Sequence, residues 1–292
     1  MSALPLKVGI PKGSLEEATL ALFAKSGWKI SMRHRNYFPE VNDDDLTVRL
    51  CRPQEIPRYV NDGILDLALT GKDWIMENRS EVHVVTDLVY SKSSNRPAKW
   101  VLAVAGDSPY MKPEDLAGKR VATEIMGLTK SYFDDRNIPI KIEYSWGATE
   151  AKVVEGLADA IVEVTETGTT IRAHGLRIID TVLETNTQLI ANIDAWKVPE
   201  KRAKMDQIAL LLQGALRAES QVGLKMNAPV SNLDAILQIL PAFTSPTVTG
   251  LHDKNWVALE VLVASNIVRD IIPTLIAAGA RGIIEYPLNK VI

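Results

Sequence analysis

A chain of 292 residues is too long for one ordinary compact core and calls for two or three domains. Its 46% hydrophobic and 24% charged residues are those of a soluble globular protein, and a formal net charge of −3 leaves no electrostatic case for nucleic acid or a membrane surface as partner. One cysteine, Cys51, excludes an intramolecular disulfide and is expected of a reducing cytoplasm. The four histidines (His34, His83, His174, His252) show no metal-ligand spacing, so no metal site built by protein side chains alone is expected. The chain runs from its start straight into an apolar strand and no apolar run reaches the length of a membrane span, so neither leader nor anchor is expected.

The first strand is Leu6 to Ile10. Pro11-Lys12-Gly13-Ser14 then leads into a helix from Leu15 to Ser26, where Leu15, Ala18, Leu22 and Phe23 recur at helical spacing and Ser14 is a natural N-cap. Leu46 to Cys51 alternates as a strand and ends at Arg52-Pro53; Ile56 to Asn61 reads as a short helix. Leu65 to Leu69 is a buried strand that breaks at Thr70-Gly71-Lys72-Asp73 before a helix over Trp74 to Asn78, and Val82 to Leu88 is a further strand. One strand–glycine–helix junction is a plain βα turn. Its repetition in one α/β chain points to loops gathered at the carboxyl edge of parallel strands, where ligands bind in open sheets.

Ser91 to Lys99 is polar and proline-bearing, a candidate crossing between lobes. A second α/β lobe follows: strand Trp100 to Ala105, a turn at Pro113 to Arg120, strand Val121 to Thr123, helix Thr129 to Arg136, strand Ile140 to Tyr144 and helix Thr149 to Gly156. Within it lies DAIVEVTETGTTIRAHGL, residues 159 to 176, around which the chain is arranged. Ala160, Ile161, Val162 and Val164 form a strand interrupted by Glu163; Thr165-Glu166-Thr167-Gly168-Thr169-Thr170 is a hydroxyl-rich turn entering a short helix. Backbone N–H groups, a helix dipole and threonine hydroxyls converge at such a bend, as in a phosphate cradle. Glu163 and Glu166 would repel a phosphate, which gives them ribose hydroxyls, a magnesium ion or a cationic transition state to hold. Thr-Gly-Thr-Thr is equally an ordinary way to leave a strand and cap a helix, and on these residues alone both readings stand. Arg177 to Thr187 and Gln188 to Ile193 lead back to the first lobe, and Lys201 to Ala218 is a helix. Lobe I is thus expected over 1–95 and 192–218, and lobe II over 96–191, with a cleft between them.

From 219 to 292 the pattern changes. Strand Gln221 to Asn227, helix Val230 to Leu240, strands Thr247 to Leu251 and Val257 to Ala264, helix Ile267 to Ala278 with Pro273 as a kink, and strand Gly282 to Tyr286 give β-α-β-β-α-β, the ferredoxin-like order. Nothing in this module reads as catalytic, which favours regulation or oligomerisation.

In this order, PKGSLEEA (11–18), RPQEIPRYV (52–60), DLALTGKDW (66–74), GLADAIVEVTETGTTIRAHGL (156–176) and SPTVTGLHDKNWVALEVLV (245–263) resemble the long form of the ATP phosphoribosyltransferase family across essentially the whole chain. The resemblance implies two periplasmic-binding-protein-like lobes with a C-terminal ACT-like domain, in the cytoplasm. It implies attack by N1 of ATP on the anomeric carbon of phosphoribosyl pyrophosphate, with Mg2+ carried by the substrates, as the first step of histidine biosynthesis. Phosphoribosyl pyrophosphate would be held by Glu163, Thr165, Glu166, Thr167, Gly168, Thr169 and Thr170; ATP by Lys12, Gly13, Arg52, Thr70, Gly71 and Asp73. Glu163 and Lys12 are the candidate catalytic groups. An oxocarbenium-like transition state needs positioning and charge more than proton transfer, so no Ser/His/Asp or Cys/His set is expected. The resemblance further implies a homodimer and homohexamer, inhibited by histidine at Asn227, Ser245, Thr247 and Leu251. The chain departs from the family at Ser14, commonly arginine, at Ile125-Met126, commonly Tyr-Pro, at Lys152, near a usual proline, and at Asn227, an aspartate in some members. Two other readings compete: a non-catalytic sensor with the same lobes, and a phosphoribosyltransferase for another base.

Overall fold

Among the described residues the first lobe opens with β1 (Leu6–Pro11), α1 (Glu16–Ser26), β2 (Ile30–Ser31), β3 (Glu40–Val41), β4 (Leu46–Cys51), α2 (Ile56–Asn61), β5 (Leu67–Gly71), α3 (Lys72–Asn78) and β6 (His83–Leu88). The computed structural model describes residues 5–31, 39–90, 96–241 and 245–292; His34 and the Ser91–Asn95 part of the expected crossing lie outside the described residues. Val8, Ile10, Leu67, Ala68 and Leu69 are wholly buried, as a parallel strand covered on both faces requires. β1 pairs in parallel with β4 and β5. Pro57, the second residue of α2, has no N–H to leave unpaired in the first turn, which suits that helix start.

The second lobe comprises β7 (Ala98–Ala105), β8 (Arg120–Thr123), α4 (Met126–Asp134), β9 (Lys141–Tyr144), α5 (Thr149–Val154), β10 (Ala160–Thr165), α6 (Thr169–Ala173) and β11 (Leu176–Thr185). The chain returns through β12 (Thr187–Ala191), α7 (Ile193–Trp196) and α8 (Pro199–Glu219). Asn192 caps α7, its side chain accepting from the Asp194 and Ala195 N–H groups at 3.1 and 2.9 Å.

The sheet orders, β4-β1-β5-β12-β6 and β11-β7-β10-β8-β9, are the same pattern. Each holds its lobe's second, first and third parallel strands, then an antiparallel strand, then the fourth. The antiparallel members are the crossing strands: β7, the first strand of lobe II, and β12, the strand after the return. This is the two-lobed, periplasmic-binding-protein-like architecture.

Two expectations need correction. Residues 187–191 belong to the first sheet: Leu189, Ile190 and Ala191 are fully buried between β5 and β6, so the chain recrosses at Asn186 rather than after 191. The chain also divides into two compact units, Met1–Ala24 with Trp28–Ala209, and Lys25–Gly27 with Leu210–Ile292. α4 begins at Met126, three residues before the pattern predicts. Its opening N–H groups, Gly127 and Leu128, both donate to the Glu77 carboxylate on α3 at 2.8 Å, a cap supplied from the other lobe.

The second unit holds β13 (Gln221–Pro229), α9 (Leu233–Ile239), β14 (Thr247–Gly250), β15 (Trp256–Ala264), α10 (Val268–Ala277) and β16 (Arg281–Pro287). Its wholly antiparallel sheet runs β14-β15-β13-β16, the ferredoxin-like order. Leu224, Met226, Ala228, Leu259, Val261 and Val263 alternate onto one face and pack with Ile236 and Leu275. Short 3-10 turns, Val230–Asn232 and Ser265–Ile267, open the two expected helices, and Pro273 lies inside α10.

Candidate active site

A cleft of about 500 Å³ is lined from lobe I by Ser14, Leu15, Pro53, Gln54, Gly71, Asp73 and Trp74, and from lobe II by Glu124, Val164, Thr165, Glu166, Thr167 and Thr170. The crossing strands and their approaches add Tyr90, Arg96, Ala98, Trp100, Thr185, Asn186 and Thr187. The first, β5–α3 and β10–α6 junctions therefore all open onto one space.

At the β10–α6 bend Gly168 has φ +72, and an added Cβ would stand 2.8 Å from Arg172 Nη1. Only glycine takes this turn without strain. The Gly168 N–H donates to Thr165 Oγ1 at 2.8 Å, so that group is spent in shaping the bend. The Thr167 and Thr169 hydroxyls share a 2.8 Å hydrogen bond, and Arg172 Nη2 donates to the Thr167 carbonyl at 2.8 Å. The first-turn N–H groups of α6 have no intrahelical partner and remain as donors. Thr165, Glu166, Thr167 and Thr170 face the cleft; Gly168 and Thr169 form the turn behind them.

Glu163 is partly buried on β10, one step back from the wall. Burial pushes its pKa up to about 7, and the neighbouring Glu150 and Glu124 charges add to the rise against hydrogen bonds from Thr149 and the Val164 N–H. Burial raises the Glu124 carboxyl too, opposed by the Gly147 N–H that donates to it. Near neutral pH Glu163 can therefore exist in both protonation states.

On the lobe I side the polar groups are largely occupied. Buried Thr70 donates its hydroxyl to the Pro53 carbonyl at 3.0 Å. Asp73 accepts from Trp100 Nε1 at 2.6 Å, and its N–H donates to Thr185 Oγ1 at 3.2 Å. Burial pushes the Asp73 carboxyl pKa up. A Cβ on Gly71 would meet Asp73 Oδ1 at 2.0 Å, so glycine there makes room for this arrangement. Lys12 and Gly13 hold the first turn through N–H bonds to Cys51 O at 2.8 Å and Glu16 Oε2 at 3.2 Å. With Arg52 they stand beside the cleft, whose wall is formed there by their neighbours Ser14, Pro53 and Gln54.

A family profile described as "HisG: ATP phosphoribosyltransferase" matches residues 52–214, and "HisG, C-terminal domain" matches 218–290. A protein of Nitratidesulfovibrio vulgaris named ATP phosphoribosyltransferase is 70% identical over 287 residues, covering 98% of each chain. The chain belongs to the ATP phosphoribosyltransferase family. It has the long form's C-terminal domain and is a pentosyltransferase enzyme. A Geotalea uraniireducens relative of the same name is 54% identical over 98% of this chain and 99% of its own. Among solved structures, a chain from the "ATP phosphoribosyl transferase (HisG:HisZ) complex from Thermotoga maritima" is 25% identical with TM-score 0.61, covering 71% of this chain and 98% of that one.

Several cleft residues of this phosphoribosyltransferase were invisible as site residues in the sequence. Arg96 is a cation on the wall, hidden in what read as a polar linker; Glu124 follows a short strand without any glycine signal. Asn186 and Thr187 were signalled only by a polar interruption between apolar runs. No group of three or more His, Cys, Asp or Glu among the described residues could hold a metal ion. In the C-terminal unit Asn227 pairs with Ala258, while Ala258 and Glu260 pair with Thr249 and Thr247, so Asn227 and Thr247 share one sheet face. Ser245 is exposed, and the Leu251 N–H donates to the Trp256 carbonyl at 3.0 Å.

Proposed function

We propose that this enzyme joins N1 of ATP to C1 of phosphoribosyl pyrophosphate, giving phosphoribosyl-ATP and pyrophosphate as the first step of histidine biosynthesis. The N1 lone pair forms the new bond to C1 as the C1–O bond breaks, and its electron pair leaves on pyrophosphate. The hydroxyls of Thr165, Thr167, Thr169 and Thr170 and the N–H groups that open α6 hold the ribose 5-phosphate. Ionised Glu163, with Glu166, accepts from ribose hydroxyls and offsets positive charge developing on the ring. Lys12, Gly13 and Arg52 serve the phosphates of ATP from the cleft edge, with Thr70, Gly71 and Asp73 framing the opposite wall. Mg2+ would be carried in by the phosphates of the substrates. The observation that supports this reading best is the opening of the Gly168 bend onto the same cleft as the two lobe I junctions. Mixing the protein with ATP, phosphoribosyl pyrophosphate and Mg2+ is expected to raise near-ultraviolet absorbance and yield a product of phosphoribosyl-ATP mass. A flat trace from folded protein defeats the assignment.

Feedback inhibition by histidine, at Asn227, Ser245, Thr247 and Leu251 between C-terminal domains of neighbouring subunits in a homodimer–homohexamer system, belongs to the same proposal. The 218–290 match and the shared face of Asn227 and Thr247 support it. Histidine is expected to slow the full-length enzyme, and Thr247→Ala to relieve it; equal inhibition of both moves the effector elsewhere. The cytoplasm is the proposed compartment, on the single cysteine; no described helix is long and apolar enough to cross a membrane.

A further inference from the structure

Trp146 is 84% exposed, more than any other large hydrophobic side chain among the described residues. The segment carrying it is firmly anchored. The Ser145 N–H donates to the Thr123 carbonyl at 2.9 Å, and the buried Ser145 and Thr149 hydroxyls bond each other at 3.0 Å. Lys152 Nζ holds the Tyr144 carbonyl at 2.9 Å, and the Gly147 N–H donates to the carboxylate of Glu124, which lines the cleft. Ala148 closes the loop at φ +50, a left-handed conformation that costs a non-glycine residue about 1 to 2 kcal/mol. Backbone strain and an exposed indole are thus held one residue on either side of Gly147, whose N–H reaches the cleft-lining Glu124; the indole itself stands outside the cleft wall.

The aromatic groups on the cleft wall offer no comparable face. Trp100 and Tyr90 are buried, and Trp74 stands edge-on to Trp100 with ring centroids 6.3 Å apart. Trp146 is steadied from the side by Tyr144, at 5.9 Å and 63°. We propose that Trp146 is the platform on which the purine base of the nucleotide substrate stacks. A flat π face accepts a purine without spending hydrogen-bond donors, which leaves N1 free to react. The proposal rests on the ATP-dependent reading of the cleft and specifies which residue selects the base.

Steady-state kinetics of Trp146→Ala and Trp146→Phe test it. Trp146→Ala is expected to raise KM for ATP about tenfold to a hundredfold while KM for phosphoribosyl pyrophosphate stays within about twofold, and Trp146→Phe to restore most of the loss. ATP should also quench a tryptophan emission component that Trp146→Phe lacks. An unchanged KM for ATP in Trp146→Ala, with active wild type, overturns the stacking role and leaves the reaction standing. So does a Trp146→Ala defect that tracks a change in subunit association by sedimentation. If wild type yields no phosphoribosyl-ATP, the reaction assignment falls on its own. ATP quenching then decides the platform: its loss in Trp146→Phe supports it, and its absence from wild type overturns it.

Discussion

The β5–α3 junction of lobe I and the β10–α6 junction of lobe II look alike on paper: an apolar strand, threonine, glycine, then a helix. In three dimensions they do opposite things. At the first, Thr70 is bonded to Pro53 and Asp73 to Trp100 and Thr185, so the polar groups lock the two lobes' walls. At the second, Thr165 shapes the turn, the Thr167 and Thr169 hydroxyls bond each other across it, and the N–H groups that open α6 lack an intrahelical acceptor. A strand–glycine–helix signature locates a junction, and the surrounding partners decide whether it fastens or binds.

The sharpest way to break this contrast is to strike the fastening junction. Trp100→Ala removes a buried indole and strands Asp73, and should cost about 3 to 5 kcal/mol in urea unfolding; a loss below about 1 kcal/mol would show that the junction fastens little. Gly168→Asp at the binding junction should cost about 1 to 2 kcal/mol through its left-handed φ. Its larger effect should be on activity: with the phosphate repelled, kcat/KM for phosphoribosyl pyrophosphate should fall about a hundredfold or more, while ATP binding by calorimetry changes little. A variant losing both equally would make the bend a shared structural element.

The third test is pH. Glu163 has its folded pKa raised from 4.5 to about 7, so the native state holds a proton the unfolded chain has released between those values. Its contribution to stability is present below 4.5 and is lost as pH rises through about 7. Activity should move the other way, because the carboxylate is the form that accepts ribose hydroxyls: log kcat/KM for phosphoribosyl pyrophosphate should climb with a midpoint near 7. Glu163→Gln should flatten both profiles; a retained activity midpoint assigns the titration to another group. The smallest change is Thr169→Ala, within about 0.5 kcal/mol of wild-type stability yet about tenfold weaker in KM for phosphoribosyl pyrophosphate. Wild-type kinetics there would take this hydroxyl out of the binding set.

Local periodicity made the elements legible. The bounds of Ile56–Asn61 and Leu46–Cys51 follow from their apolar pattern to the residue, and the β-α-β-β-α-β order of the last unit follows from its punctuation. Long-range partners were not visible. The start of α4 depends on Glu77, about fifty positions away, and neither Gly127 nor Ile125 announces a cap. The placement of β12 in the first sheet depends on a slot between β5 and β6 that no window around Leu189 contains. For the site, glycine and hydroxyl turns exposed the bend, whereas Arg96 and Glu124 became cleft residues only when folding brought the crossing segment and β8's end to one space.

The Glu77 carboxylate has a mechanical consequence. Two N–H groups on one lobe lean on the two oxygens of a single acid from the other, so the start of α4 is held through the junction between lobes. Without Glu77 the helix start would have to find water instead. Parting the lobes at this joint would therefore give up two charge-assisted hydrogen bonds.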